Sequence, residues 1–67
     1  MTLRKPVKFL RLPSVVSITG LSRSTIYHFL SQGTFPKPVN IGARSIAWIE
    51  SEVEEWMHSR IDQARKG

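Results

Sequence analysis

The chain predicts a small α+β domain, mainly helical, on three observations. The stretch Thr19-Gly20-Leu21-Ser22 bends one short apolar helix into the start of another. Two β-like segments flank a glycine-containing turn at Gly42-Ala43-Arg44. After Ser51 an apolar pattern recurs at helical spacing almost to the end of the 67 residues, a length that holds one domain and no second.

Taken in order, residues 1–8 are basic, carry Pro6 and read as a flexible arm. Residues 9–64 read as the folded domain and 65–67 as a frayed tail. Phe9-Leu10-Arg11 is a candidate short strand. Pro13 suits the first position of a helix, where the N–H it lacks would have no partner, and Val15, Val16 and Ile18 give that helix its apolar content. Gly20 can take the left-handed backbone that ends it. Ser22 is then placed to cap the next helix, its hydroxyl accepting a backbone N–H two or three residues on. That helix runs from Ser22 to about Gln32, with Ile26, Phe29 and Leu30 on one stripe, and Gly33 terminates it.

Thr34-Phe35-Pro36-Lys37-Pro38 cannot be helical, because both prolines and the residues before them favour extended backbone. Val39-Asn40-Ile41 and Ser45-Ile46-Ala47-Trp48 follow as a hairpin with a three-residue connection. Alternation sets Trp48 with Ile46, and Val39 with Ile41, on a face suited to packing against helices. Ser51 and Glu54 have capping-box spacing, so the last helix is expected to start at Ser51, with Glu52, Glu54 and Glu55 where the macrodipole favours negative charge. Val53, Trp56, Met57, Ile61 and Ala64 form the face expected to pack over the two earlier helices. The order of short strand, two-helix turn motif, β-hairpin and C-terminal helix is that of a small winged helix-turn-helix. In that architecture the second helix of the pair enters the DNA major groove.

Charge is divided in the same way. The net formal charge is +5, and no Asp or Glu precedes Glu50. Seven cations, Arg4, Lys5, Lys8, Arg11, Arg23, Lys37 and Arg44, occupy that acid-free part, whereas afterwards five acids outweigh Arg60, Arg65 and Lys66. The division implies a basic side for a polyanion and a neutral or acidic back. With no cysteine, neither disulfides nor thiolate metal sites are available. The apolar runs are far short of a membrane span, and the basic N-terminus lacks the apolar core of a secretory signal. A soluble cytoplasmic protein is the expectation, without cofactor, metal or small-molecule substrate.

Catalysis finds no footing. Gly20-x-Ser22-x-Ser24 is one residue short of a nucleophile elbow and lies between helices, not after a strand. His28 and His58 fall on different helices with no third ligand in view. A protein–protein adaptor is the competing class. Its surface would be the acidic back around Glu52, Glu55 and Asp62, with Glu54 and His58 as a pair along one helix.

For double-stranded DNA, a helical projection centred on Ile26 puts Ser24, His28 and Ser31 opposite the buried stripe. Arg23 and Tyr27 lie at one margin and Thr25 at the other. The candidate contacts are therefore Ser22, Arg23, Ser24, Thr25, Tyr27 and His28. Arg23 suits a guanine edge or a phosphate, and the amides at the Ser22 cap suit a phosphate. Two readings stand open for Thr25, a base contact or capping alone, and for Tyr27, a phosphate contact or cover for the core margin. Arg44 at the hairpin tip, with Ser45 beside it, is the wing candidate, for phosphates or a narrow minor groove. Lys37 is placed to clamp the backbone after the recognition helix, and Lys5, Lys8 and Arg11 to add weaker contacts from the arm. Trp48 and Trp56 are assigned to the core.

The segments Leu12-Pro13-x-Val15, Thr19-Gly20-Leu21-Ser22-Arg23-Ser24-Thr25-Ile26-Tyr27, Phe35-Pro36-Lys37-Pro38-Val39, Ile41-Gly42-x-Arg44 and Trp48-x-x-Ser51-Glu52-Val53-x-x-Trp56 closely resemble the AlpA family of phage and prophage regulators. The resemblance runs in order from about Phe9 to Ile61. It implies kinship with the winged-helix domains of MerR regulators and phage excisionases, and a small bacterial DNA-binding protein tied to mobile elements. The implied activity is transcriptional control of an integrase gene. The alternative is an excisionase-like directionality factor that bends DNA and contacts integrase. A second copy of the chain or an integrase are the protein partners considered. By the same resemblance Arg23, Ser24, Thr25 and Tyr27 match the recognition motif and Arg44 marks the wing. The chain departs from the family at His28, where Arg or Lys is common. This removes a permanent cation from that position, since imidazoles are ordinarily mostly neutral near pH 7.

Overall fold

A computed structural model describes residues 6–66 of the chain. Arg11 stands in extended backbone just ahead of α1 (Leu12–Thr19), where Pro13 occupies the first turn without sacrificing a hydrogen bond. Gly20 closes α1 at φ 73°, its N–H donating to the Val16 carbonyl at 2.9 Å. Thr19 locks the bend, its Oγ1 donating to the Val15 carbonyl at 2.7 Å and accepting the Leu21 N–H at 3.2 Å. After this three-residue turn, α2 (Arg23–Gln32) begins on Ser22, whose hydroxyl accepts the Thr25 N–H at 3.2 Å. Gly33, at φ 71°, ends α2 as the local signals predict.

Three antiparallel strands follow the order β1-β3-β2, with β1 at Phe9–Leu10, β2 at Val39–Gly42 and β3 at Ser45–Ile49. β1 sets Phe9 against Ile49 and Leu10 against Trp48. Along the hairpin Asn40 faces Ile46 and Gly42 faces Ser45, so Ile41 is an extra residue, a β-bulge. The expected three-residue connection is therefore a two-residue turn, Ala43-Arg44, preceded by that bulge. Asn40 supports it by accepting the Gly42 N–H on Oδ1 at 3.1 Å.

The core is Leu10, Val15, Ile26, Phe35, Trp48 and Val53, flanked by partly buried Leu12, Val16, Leu21, Phe29, Leu30, Trp56 and Met57. No polar side chain is buried among the described residues. Every helix, β1, β3 and the connector contribute, and the result is a small winged helix-turn-helix, α+β and mainly helical.

Four further expectations need correction. The last helix, α3 (Glu50–Ala64), starts one residue before Ser51 and carries no side-chain cap. A long-range acceptor meets the first helical amide instead: the Glu50 N–H donates to the Lys8 carbonyl at 2.9 Å, where the β1–β3 pairing runs into the helix start. The wing is less covered than its alternation implies, since Ile41 and Ile46 are 40% and 39% exposed. The hairpin outruns the helices, so only its Trp48 end meets the core. Similarly, α3 outruns the core, leaving Ile61 43% exposed and Ala64 at the surface. Finally, Glu54 and His58 do not pair. The ion pair present among the described residues is Lys8 Nζ to Glu50 Oε2 at 3.8 Å, whereas Glu54 and His58 are both exposed to competing water. Of the arm expected over 1–8, residues 1–5 lie outside the described residues, and Lys5 with them.

Candidate nucleic-acid interface

Burial of Ile26 fixes the roll of α2 and turns Arg23, Ser24, Tyr27 and His28 outward, all four exposed. The Ser22 hydroxyl is committed locally. It shares a 2.8 Å hydrogen bond with Thr25 Oγ1, in addition to accepting the Thr25 amide, and lies 3.3 Å from Ser24 Oγ. Thr25 is half-buried, and its hydroxyl is held in the cap. Tyr27 is 41% exposed, with the Arg23 guanidinium carbon 5.8 Å from its ring centroid. This i, i+4 cation–π contact orients an otherwise floppy arginine along the outer face of α2. His28 stands beside Phe29, and its carbonyl accepts the Ser31 hydroxyl at 2.6 Å.

The remaining candidates are spread over three elements. Arg44 is exposed in the hairpin turn and Ser45 is half-buried at the start of β3. Lys37 is exposed between two prolines on the connector from α2 to β2. Arg11 is exposed ahead of α1, and Lys8 is exposed but leans toward Glu50.

The extended connector was expected, but its anchoring was not. Trp48 Nε1 donates to the Pro36 carbonyl at 2.9 Å, and Trp56 Nε1 donates to the Thr34 carbonyl at 2.6 Å. Phe35 lies between these anchors, buried, with its ring edge-on to Trp56 at 4.8 Å between centroids. Two indoles thus hold the segment that presents Lys37 and starts the wing. A usable signal was there: prolines remove amide donors from the connector and leave carbonyls needing partners, and buried indoles seek acceptors. The described residues contain no group of three His, Cys, Asp or Glu that could hold a metal ion, and no helix long and apolar enough to cross a membrane.

The family profile described as Prophage CP4-57 regulatory protein (AlpA) matches residues 8–61, from the approach to β1 into α3. The chain belongs to the AlpA family. Among AlpA-like relatives, the DNA-binding transcriptional activator AlpA of Escherichia coli (strain K12) is 42% identical over 66 residues, spanning 90% of this chain and 94% of that one. The uncharacterized protein ORF88 of Enterobacteria phage P4 is 47% identical over 60 residues, spanning 90% of this chain and 68% of its own. The stretch shared with the AlpA family contains the capped helix α2, the double-indole connector and the whole hairpin, and it ends at Ile61, before α3 does.

Proposed function

We propose that this AlpA-family chain is a sequence-specific double-stranded DNA-binding transcriptional regulator of a phage, prophage or other mobile element, acting on integrase expression. The observation that carries the reading is the outer face of α2. Buried Ile26 and the Ser22 cap leave Arg23, Ser24, Tyr27 and His28 together on an exposed helical surface, just past a helix-turn-helix bend. The E. coli relative's description as a DNA-binding transcriptional activator supports it. The exposed side chains there are hydrogen-bond donors and a cation, which suits a polyanionic partner. A cytoplasmic protein that joins the nucleoid when bound follows from this role.

In this reading Arg23, pre-aligned by Tyr27, reads a base edge, while Ser24 and the Thr25 methyl fit close to the groove floor. Tyr27 and His28 contact the sugar-phosphate flank, and the free amides at the Ser22 cap meet a phosphate. Arg44 with Ser45 on the wing, and Lys37 on the connector, hold the backbone on either side, with Lys5, Lys8 and Arg11 adding weaker contacts.

The test is duplex binding as a function of salt for the wild type, Arg23→Ala and Arg44→Ala, on a promoter fragment from the element and on random duplex. About 4–7 phosphate contacts predict a log–log salt slope on the order of −4 to −6. Arg23→Ala should lose about 1–3 kcal/mol of discrimination between the two duplexes. Arg44→Ala should weaken both alike and make the slope shallower by about 1. Wild-type behaviour from both variants would refute the assigned surface.

A further inference from the structure

Toward its C-terminal end α3 presents an apolar strip that the rest of the described chain covers only in part, at Met57. Met57, Ile61 and Ala64 recur at i, i+4 and i+7, the spacing of one helix face, yet Ile61 is 43% exposed and Ala64 is at the surface. The strip opens into a mainly apolar groove of about 380 Å³ lined by Leu21, Phe29, Trp56, Met57 and Ile61, with Thr19 and Arg60 at its rim. Arg60 is held there, its guanidinium carbon 5.2 Å from the ring centroids of both Phe29 and Trp56.

Charge along the helix selects the occupant. The first turns of α3 carry Glu50, Glu52, Glu54 and Glu55, whereas its end carries Arg60, Arg65 and Lys66, with Asp62 alone opposing them. Glu54 and Arg65 lie 11 positions apart, about three full turns, and so border the same edge of the apolar strip. A helix with an acidic head and a basic tail is complementary to itself when the second copy runs antiparallel. Crossing near Ser59 sets Met57 against Ile61 of the second copy and brings Glu54 beside Arg65 of the second copy, twice by symmetry. Antiparallel pairing brings like edges together, so these opposite charges meet where water is being excluded.

We propose that this groove and strip form an isologous interface between two copies of the chain, through antiparallel pairing of α3 from Met57 to Ala64. The proposal does not depend on DNA binding, because the surface lies along α3 and the association is measurable without DNA. An interface built on so few apolar side chains points to a weak, salt-sensitive dimer that forms readily only when two copies are held close.

The experiment is sedimentation equilibrium of the full chain without DNA, over protein concentrations on the order of 10 μM to 1 mM, at low and high salt. The weight-average mass should climb from 7.7 kDa toward twice that value, and less steeply at high salt. Ile61→Glu, at an exposed position and checked for folding by circular dichroism, should remain monomeric throughout. Glu54→Arg and Arg65→Glu should each weaken association several-fold, and the double swap should restore it. A wild-type chain that stays monomeric would overturn the proposal and leave the groove to a different protein. Association unaffected by Ile61→Glu, or single swaps not rescued by the double swap, would equally overturn it.

Discussion

Gly20→Ala isolates the backbone cost of the bend between α1 and α2. Gly20 has φ 73°, and a Cβ built there meets nothing within 4 Å, so steric collision with the rest of the fold plays no part. What remains is the left-handed penalty for an L-residue, about 1–2 kcal/mol. Alanine also restricts the unfolded chain, which returns about 0.4–1 kcal/mol. The net loss is about 1 kcal/mol. In a domain of this size, with on the order of 3–5 kcal/mol of total stability, that is a roughly five-fold fall in the folded-to-unfolded ratio. It corresponds to a drop in Tm of about 4–8 °C. Thermal and urea melts followed by far-ultraviolet circular dichroism measure it. Gly20→Asn should lose clearly less, because asparagine visits the left-handed region more readily. An unchanged melting point for Gly20→Ala, or Gly20→Asn no better than Gly20→Ala, would show that the bend does not rest on the left-handed conformation.

The other stability predictions contrast pairs of sites. Ser22→Ala should cost about 1 kcal/mol, because it removes the acceptor for the Thr25 amide and the partner of its hydroxyl. Ser51→Ala should stay within about 0.5 kcal/mol, since Ser51 is exposed and caps nothing; equal urea midpoints for the two variants would contradict both statements. Trp48→Phe should cost about 2–4 kcal/mol, as it shrinks a wholly buried ring and strands the Pro36 carbonyl. Trp56→Phe should cost only about 0.5–1.5 kcal/mol, because the ring is half-buried and water can reach the Thr34 carbonyl in place of the lost indole. Melts that ranked Trp56→Phe as the costlier change would reverse the account of the connector.

What could be read from the residues divides along a physical line. α2 was legible end to end because its signals are local: Ser22 hydrogen-bonds three residues on, and Gly33 supplies a conformation other residues avoid. The hairpin was legible as a pair of strands, but its register was not, since the bulge at Ile41 is accompanied by an amide-to-side-chain contact at Asn40 that residue spacing does not reveal. The start of α3 was misplaced because a local signal, Ser51 with Glu54, lost to the carbonyl of Lys8, more than forty positions away. Periodicity placed Ile61 and Ala64 on the right face of α3, but it says nothing of whether a neighbour stands opposite. The outward face of α2 followed from a projection about Ile26. The pairing of Arg23 with Tyr27, and the withdrawal of the Thr25 hydroxyl into the cap, are matters of rotamer that spacing alone leaves undetermined.

β3 ends at Ile49 and α3 begins at Glu50, with no residue between them. The hairpin therefore runs into the helix through the extended backbone of Ile49 alone. The Glu50 N–H, donating to the Lys8 carbonyl, fastens that joint to the entry of β1, so the root of the wing and the start of α3 are tied to one neighbouring strand.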